Sequence, residues 1–292
     1  MAIETTIKPT ITLLVPVRDE EANIRPFVQN VRTVLNSEEY NVSILFVEDN
    51  SSDNTRNVIK TIASSDSSIN GLFINNKFGQ GPAVFFGLMN CTGDAVIMMD
   101  IDGTHPLSVA KEMIGKFLAG ADIVQGVRNQ REIFGVRKIL SILFNYSCRL
   151  FAGVDLSMQP VYFRLLSKKV VSAITKQPWL AHFVRLNFRE FSDCRIEFIE
   201  FHFIERNLGR GKYNLRGLIK LAIRGQLSLI SPKRLYFLLT LLNSIAISSI
   251  WLAPLWLAVA LMVLAGFATI FLLMEFSRIR NRDVTLAIQI LP

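Results

Sequence analysis

Hydrophobic positions along the chain change character twice. From Thr10 to about residue 128, short continuous apolar runs alternate with stretches in which apolar residues recur every three or four positions. TITLLVPV (10–17), VSILFVE (42–48), GLFINN (71–76), AVIMMD (95–100) and ADIVQG (121–126) read as strands. A helical pattern runs from the end of the first strand to about Leu35, and others cover 54–64, 80–91 and 106–118. Asp53 stands where it can cap the second of these helices. Uninterrupted apolar strands separated by helices imply a mostly parallel sheet covered on both faces. Such sheets hold their ligands beyond the C-terminal ends of the strands. Polar residues gather at those ends: Asp19 and Glu20 after the first strand, Asp49 after the second, Asp100 and Asp102 after the fourth, Arg128 after the fifth.

The middle of the chain is less regular. PVYFRLLS (160–167) and RIEFIEFHF (195–203) read as strands, the latter alternating partly, as an antiparallel or edge strand does. WLAHFVRLNFREF (179–191) reads as a helix. No internal repeat or low-complexity linker is visible. The third regime begins at Leu235: through Met274 there is no Asp, Glu, Lys, Arg or His. One membrane crossing needs about 20 apolar residues, so this stretch reads as two crossings, with Pro254 at the turn. One buried soluble hairpin is the alternative. Lys233 and Arg234 precede the run and Arg278, Arg280 and Arg282 follow it, which puts both of its ends on the cytoplasmic side. Trp251 and Trp256 suit the far interface. The segment MAIETTIKPT has no apolar signal core, so residues 1–234 are expected to stay in the cytoplasm. The tail DVTLAIQILP is expected to form a strand used in a subunit contact, consistent with a homo-oligomer.

Composition refines this picture. The chain has 292 residues, half of them hydrophobic, with net charge +8. That length suits one large or two medium domains with a core of their own. Cys91, Cys148 and Cys194 are too widely spaced for a disulfide framework or a zinc site, and buried reduced thiols are expected. Much of the basic excess adjoins apolar segments: Arg137, Lys138 and Arg149 within 131–151, and Arg216, Lys220 and Arg224 within 215–235. Both segments read as helices lying at a lipid headgroup layer, or as amphipathic helices packed on a core. Charge placed beside membrane segments argues against a nucleic-acid partner.

Asp100 and Asp102 raise the chemical question. Two carboxylates this close oppose each other's ionisation unless a cation lies between them. Mg2+ and Mn2+ favour carboxylate oxygen and are commonly held by one or two carboxylates plus the phosphates of a substrate. A D-x-D string is common in solvated loops; its place at the end of an apolar strand distinguishes this one.

Six ordered segments carry a resemblance. LLVPVRDEEANI (13–24) fits P-x-x-[ND]-E-x-x-N through Pro16, Asp19, Glu20 and Asn23. VEDNSSDNT (47–55) fits D-x-S-x-D through Asp49, Ser51 and Asp53. NNKFGQGPAVFFG (75–87) fits N-x-G-x-G-x-A-x-x-x-G, followed by GDAVIMMDIDGTHP (93–106), QPVYFRLLSKKVV (159–171) and ERNLGRGKYNLRGLIKLA (205–222). The chain resembles the family 2 glycosyltransferases of the GT-A fold, in the polyprenyl-phosphate branch that includes dolichyl-phosphate mannose synthase and the bactoprenol glucosyltransferases.

The resemblance implies an α/β GT-A fold, a Rossmann-like mostly parallel sheet with helices on both faces, followed by amphipathic interfacial helices and a two-helix transmembrane hairpin. Residues 1–212 would form the cytoplasmic catalytic domain, 213–234 the juxtamembrane helix, 235–274 the two transmembrane helices and 275–292 a cytoplasmic tail. Pro16, Asp19, Glu20, Asp49, Lys77, Gly79, Gly81, Asp100 and Ile101 would line a nucleotide-sugar. Asp100 and Asp102 would hold Mg2+ or Mn2+, with Asp102 as main ligand; His105 reads as a loop histidine rather than a ligand. The acceptor would be a polyprenyl phosphate, undecaprenyl or dolichyl, in the bilayer, already largely anionic at neutral pH. Two like charges at 4 Å repel by about 4 kcal/mol at an effective dielectric near 20. Arg128, Arg137, Arg164, Arg206 and Lys212 are the candidates to offset that repulsion, and Asp155 is a weaker candidate for orienting the acceptor. The implied reaction is a single inverting displacement.

Three departures bear on the donor site: Glu48 and Asn50 give EDN where the family often has DDG, Thr104 replaces a usual Gln, and Gly211 a common Ser. Two other functions stay open from the sequence. One is transfer to a lipid hydroxyl or lipid-linked saccharide, which needs a base such as Asp155. The other is a nucleotide-sugar-binding membrane scaffold without turnover.

Overall fold

In a computed structural model, residues 8–128, 142–143, 145–146, 149–150, 160–176, 191, 193–202, 232–248, 254–280 and 288–291 are described. The chain divides into two compact units, one of residues 1–132, 158–209 and 284–292, the other of 133–157 and 210–283.

The first unit is an α/β sheet domain. Its described elements are β1 (Thr10–Val17), α1 (Glu21–Val34), β2 (Asn41–Asp49), α2 (Thr55–Ala63), β3 (Ile69–Ile74), α3 (Gln80–Asn90), β4 (Ala95–Met98), α4 (Leu107–Leu118), β5 (Ile123–Arg128), β6 (Pro160–Ser167), α5 (Lys168–Thr175), β7 (Ile196–Phe201) and β8 (Ile288–Leu291). The strands form one mixed sheet in the order β7-β5-β6-β4-β1-β2-β3-β8. The pairs β1/β2, β1/β4, β2/β3 and β5/β7 are parallel. β6 runs antiparallel to both β4 and β5. Its Arg164 stands in register with Met98 on one side and Gln125 on the other.

The continuous apolar strands have a direct cause. Successive side chains point to opposite faces, and here both faces are covered. Ile11, Leu13 and Val15 of β1 enter one core with Ile24, Phe27 and Val31 of α1, Ile59 of α2 and Met113 of α4. Leu14 enters the other, with Ala83 to Phe86 and Leu88 of α3 and Val170 and Ile174 of α5. α3 lies so close to the sheet that a Cβ at Gly87 would fall 2.2 Å from Leu14 Cδ1 and 2.9 Å from Val47 Cγ2. Both neighbours are fully buried. Gly87→Ala is therefore expected to destabilise this unit by roughly 1–3 kcal/mol, measurable as a lower denaturation midpoint; an unchanged midpoint would mean that α3 packs more loosely than this.

Some boundaries differ from expectation. β5 begins at Ile123 rather than 121, because Gly120, at φ +95°, ends α4 and the Ala121 N–H bonds back to Lys116 O. β3 begins at Ile69 rather than 71 and ends at Ile74, leaving Asn75 and Asn76 exposed. The tail strand expected in a subunit contact instead extends the chain's own sheet: β8 pairs antiparallel with β3, Gly71 opposite Leu291 and Ile74 opposite Ile288. The expected helix over 179–191 lies outside the described residues apart from Phe191.

Cys91 follows α3 and is a free thiol, as is Cys194. Burial pushes the Cys91 thiol up to about 12, so it stays protonated at neutral pH. Iodoacetamide at pH 8 is expected to label it slowly in the native protein and rapidly in denaturant; rapid native labelling would contradict this burial.

The second unit contains α6 (Pro232–Ser248) and α7 (Leu255–Arg280). Leu255–Ser277 has mean hydropathy 2.6 and is long and apolar enough to cross a membrane. The apolar part of α6, Leu235–Ser248, is too short for a crossing, so one of the two expected spans meets the length requirement among the described residues. The two helices share a polar contact within their apolar lengths: Asn243 Nδ2 donates to Thr269 Oγ1 at 2.9 Å and to Leu239 O at 2.7 Å.

Candidate functional site

The segments that follow β1 and β2 each turn through a residue with left-handed backbone, Asp19 (φ 55°) and Asn50 (φ 51°), and Asp19 ties the two together. The Asp19 N–H donates to Ser51 Oγ at 3.1 Å, and Asp19 Oδ1 accepts from Ser52 N at 2.6 Å and Ser52 Oγ at 2.9 Å. Those two bonds hold the Asp19 carboxyl below its ordinary range, with smaller help from the charges of Arg18 and Lys77. The Glu20 N–H donates to Thr55 Oγ1 at 2.8 Å. The Glu21 N–H donates to Asp53 Oδ2 at 3.1 Å and Glu21 Oε2 accepts from Asn54 N at 2.8 Å, so α1 and α2 cap each other. Asn54, not Asp53, occupies the cap position of α2; Asp53 Oδ1 instead accepts from Thr55 N at 3.0 Å. Pro16, half-buried near the end of β1, is in register with Val47.

Asp49 ends β2 almost fully buried. Its Oδ1 accepts from the Phe78 N–H and its Oδ2 from the Gly79 N–H, both at 2.9 Å. β2 thereby holds the loop that enters α3. Gly79, at φ +88°, makes the turn, Lys77 is exposed before it, and half-buried Gly81 sits in the first turn of α3. Glu48 is fully buried; its Oε2 lies 2.7 Å from Arg56 Nε and Nη2, and its Oε1 accepts from the Ser51 N–H. Arg56 Nη2 also donates to Ile74 O at 3.0 Å, and its guanidinium lies over the Phe73 ring. Glu48, a departure from the family pattern, thus works inside the turn.

The segment after β4 carries the acidic pair. Asp100 Oδ1 accepts from Gln80 Nε2 at 2.7 Å. Asp102 Oδ1 accepts from Thr104 N at 3.0 Å and Thr104 Oγ1 at 2.5 Å, across a turn that Gly103 makes at φ +78°. Ile101 between them is buried. His105 is 4% exposed, stacked on Phe163 at 4.6 Å with Phe201 against its edge. Its Nδ1 accepts from the Asp100 N–H at 2.8 Å, which leaves its proton on Nε2. Burial pushes the imidazole down to about 4, the Asp102 charge opposing this weakly. A neutral ring that accepts from a backbone amide fixes the loop, as expected of a loop histidine.

Of the basic candidates, Arg128 is half-buried as the last residue of β5. Arg164 is 0% exposed, on the sheet face that Met98 shares with α3. Arg137, Asp155, Arg206 and Lys212 lie outside the described residues. The donor set fits a hard divalent cation: two carboxylates at a strand end, each oriented by a neutral donor. Among the described residues, no group of three or more His, Cys, Asp or Glu could hold a metal. A cation here would therefore complete its shell with ligand phosphate and water, as Mg2+ and Mn2+ commonly do. Sequence reasoning missed Gln80 and the Glu48–Arg56 pair, whose partners are 20 and 8 residues away. An arginine eight residues after a strand-end glutamate carries no pattern of its own.

Comparison with known proteins gives a consistent result. Residues 12–175 match the family described as glycosyl transferase family 2. The chain is 33% identical over 216 residues to the prophage bactoprenol glucosyl transferase homolog of Escherichia coli K12, covering 74% of this chain and 70% of that protein. It is 27% identical to an undecaprenyl-phosphate 4-deoxy-4-formamido-L-arabinose transferase of Shewanella sediminis, covering 72% and 64%. Among solved structures, the glucosyl-3-phosphoglycerate synthase of Mycobacterium tuberculosis, solved with Mn2+ and UDP, superposes with TM-score 0.52 at 18% identity, covering 76% of this chain and 78% of that one. That likeness shows a shared GT-A-like fold.

Proposed function

Because the chain belongs to glycosyl transferase family 2, we propose that this glycosyltransferase moves a hexose from a nucleoside-diphosphate sugar to a polyprenyl phosphate in the membrane. The observation that carries the reading is the Asp100–Asp102 pair at the end of β4, beside the loop that Asp49 holds through Phe78 and Gly79. Support for the acceptor comes from relatives named for bactoprenol and undecaprenyl phosphate. Leu255–Ser277, with α6 paired to it through Asn243 and Thr269, supplies the membrane anchor.

In this reading the base and ribose lie over Pro16, Asp19, Glu20 and Asp49, and Lys77 and the backbone at Gly79 and Gly81 approach the diphosphate. Asp100 and Asp102 hold Mg2+ or Mn2+, which when bound neutralises charge on the leaving diphosphate. His105 fixes the Asp100 backbone, and the Thr104 bonds hold one Asp102 oxygen so that the other faces the ligand. A phosphate oxygen of the acceptor attacks the anomeric carbon from the face opposite the diphosphate. The new carbon–oxygen bond forms as the bond to the diphosphate breaks, the electron pair leaves with the nucleoside diphosphate, and the configuration inverts. The acceptor is already an anion, so no general base is required. Arg128 at the end of β5 meets the acceptor phosphate; Arg206 and Lys212, outside the described residues, stay candidates for the same task by resemblance alone. Arg164, closed off inside the sheet, contributes its charge from beneath.

The test is transfer by the purified chain in detergent, with Mn2+, undecaprenyl phosphate and radiolabelled UDP-glucose, then other UDP- and GDP-sugars. Label that enters chloroform and is released by mild acid is the expected result. Donor binding with no lipid-borne label from any donor would overturn it in favour of a non-transferring binder.

A further inference from the structure

The Gln80 side chain joins two parts of the site that come from different strand ends. It is the first residue of α3, directly after the loop whose Phe78 and Gly79 amides both bond to Asp49. Its backbone is thereby fixed to the end of β2. Its carboxamide reaches 2.7 Å to Asp100 Oδ1, while the Asp100 N–H is held by His105 Nδ1 at 2.8 Å. Asp100 is thus gripped at its backbone from one side and at one carboxylate oxygen from the other. The Gln80 grip comes from an exposed residue. A surface glutamine loses rotamer freedom by holding one geometry, and burial does not compensate for that here. The chemistry of the donor is informative too. A carboxamide orients a carboxylate without cancelling its charge, whereas a lysine at the same place would neutralise it.

We propose that Gln80 is a positioning residue for the divalent cation: it turns Asp100 so that its second oxygen and its undiminished charge face the metal, and it ties that orientation to the loop carrying Lys77. The inference rests on the reading of Asp100 and Asp102 as metal ligands. Outer partners of metal-binding carboxylates typically contribute about 10–100-fold to metal affinity.

The test uses the full chain in detergent with Mn2+ and UDP. Free Mn2+ is read by electron paramagnetic resonance, independently of turnover, and initial rates are read across Mn2+ concentrations. Gln80→Leu is expected to raise the Mn2+ half-saturation about tenfold, leaving kcat at saturating Mn2+ within about twofold and the melting temperature unchanged. Gln80→Lys is expected to raise half-saturation further, because its charge competes with the cation. Gln80→Asn, a shorter donor, is expected to fall between wild type and Gln80→Leu. A Gln80→Leu protein that binds Mn2+ as tightly as wild type overturns the inference, as does one whose only change is a lower kcat or melting temperature. Asp100→Asn and Asp102→Asn run in parallel separate the two layers. If they lose Mn2+ binding while the Gln80 variants keep it, this inference alone fails. If they too bind Mn2+ normally, the metal-site reading fails and takes the inference with it.

Discussion

Asp102→Asn is expected to lower transfer by on the order of a thousandfold, with little change in the folded state. Asparagine keeps the size of the side chain and keeps an oxygen that can accept from Thr104 N and Oγ1, so the turn at Gly103 retains its bonds. What is lost is one negative charge and the anionic oxygen proposed to face the cation. The same loss relieves repulsion between Asp100 and Asp102, so without metal the variant is expected to melt at or slightly above the wild-type temperature. With Mn2+ and nucleotide present the order reverses, because ligand stabilises only the protein that binds it. Activity and melting temperature, each with and without Mn2+, form the measurement. A variant with wild-type rates would remove Asp102 from the site. A variant with low activity and a melting temperature several degrees lower in both conditions would assign Asp102 a structural task instead.

The second large effect concerns the turn proposed to lie beneath the nucleotide. Arg56→Ala is expected to destabilise the sheet unit by about 2–3 kcal/mol. Glu48 is fully buried, and Arg56 supplies two nitrogens at 2.7 Å from its Oε2. Removing the cation leaves a buried carboxylate served by the Ser51 amide alone among these partners, and leaves Ile74 O without the Nη2 donor. The Arg56 side chain is 31% exposed, so water offsets part of the loss and brings the effect to or just below the roughly 3 kcal/mol at which the cost of breaking a fully buried pair begins. The double variant Glu48→Gln/Arg56→Met is expected to recover most of the stability, since it leaves no unpaired charge. Urea midpoints of Glu48→Gln, Arg56→Met and the double variant close the cycle. Additive single effects would show that Glu48 and Arg56 do not act as a pair.

The legible part of the fold was the part written in short range. β1 and β6 fall where their apolar runs predicted: every residue of β1 from Ile11 to Val15 is buried, and its four apolar ones enter one core or the other. Strand direction was less legible. Nothing in PVYFRLLS states that β6 inserts antiparallel between β4 and β5; that is fixed by pairing across the fold. The tail strand was legible as a strand but not in its partner, since β8 meets β3 from more than 200 residues away. At the site, the loop carboxylates were visible from the strand-end rule, and the family resemblance supplied their candidate roles. The way they are held was not. Asp49 bonds to Phe78 and Gly79, Asp100 to Gln80 and His105, and Asp19 to Ser52, and each of these joins separate loops. His105 illustrates the difference. The sequence offers a histidine near two aspartates, and only the stacking on Phe163 and the amide at Nδ1 show a neutral ring serving the loop.

The most direct measurement is anomalous diffraction at the manganese edge from crystals of the full chain grown with Mn2+ and UDP or GDP. The account predicts one strong peak joining Asp102 and Asp100 to the diphosphate, with the base above Asp19 and Asp49. Manganese bound away from both carboxylates, or nucleotide seated elsewhere with this corner vacant, would contradict it.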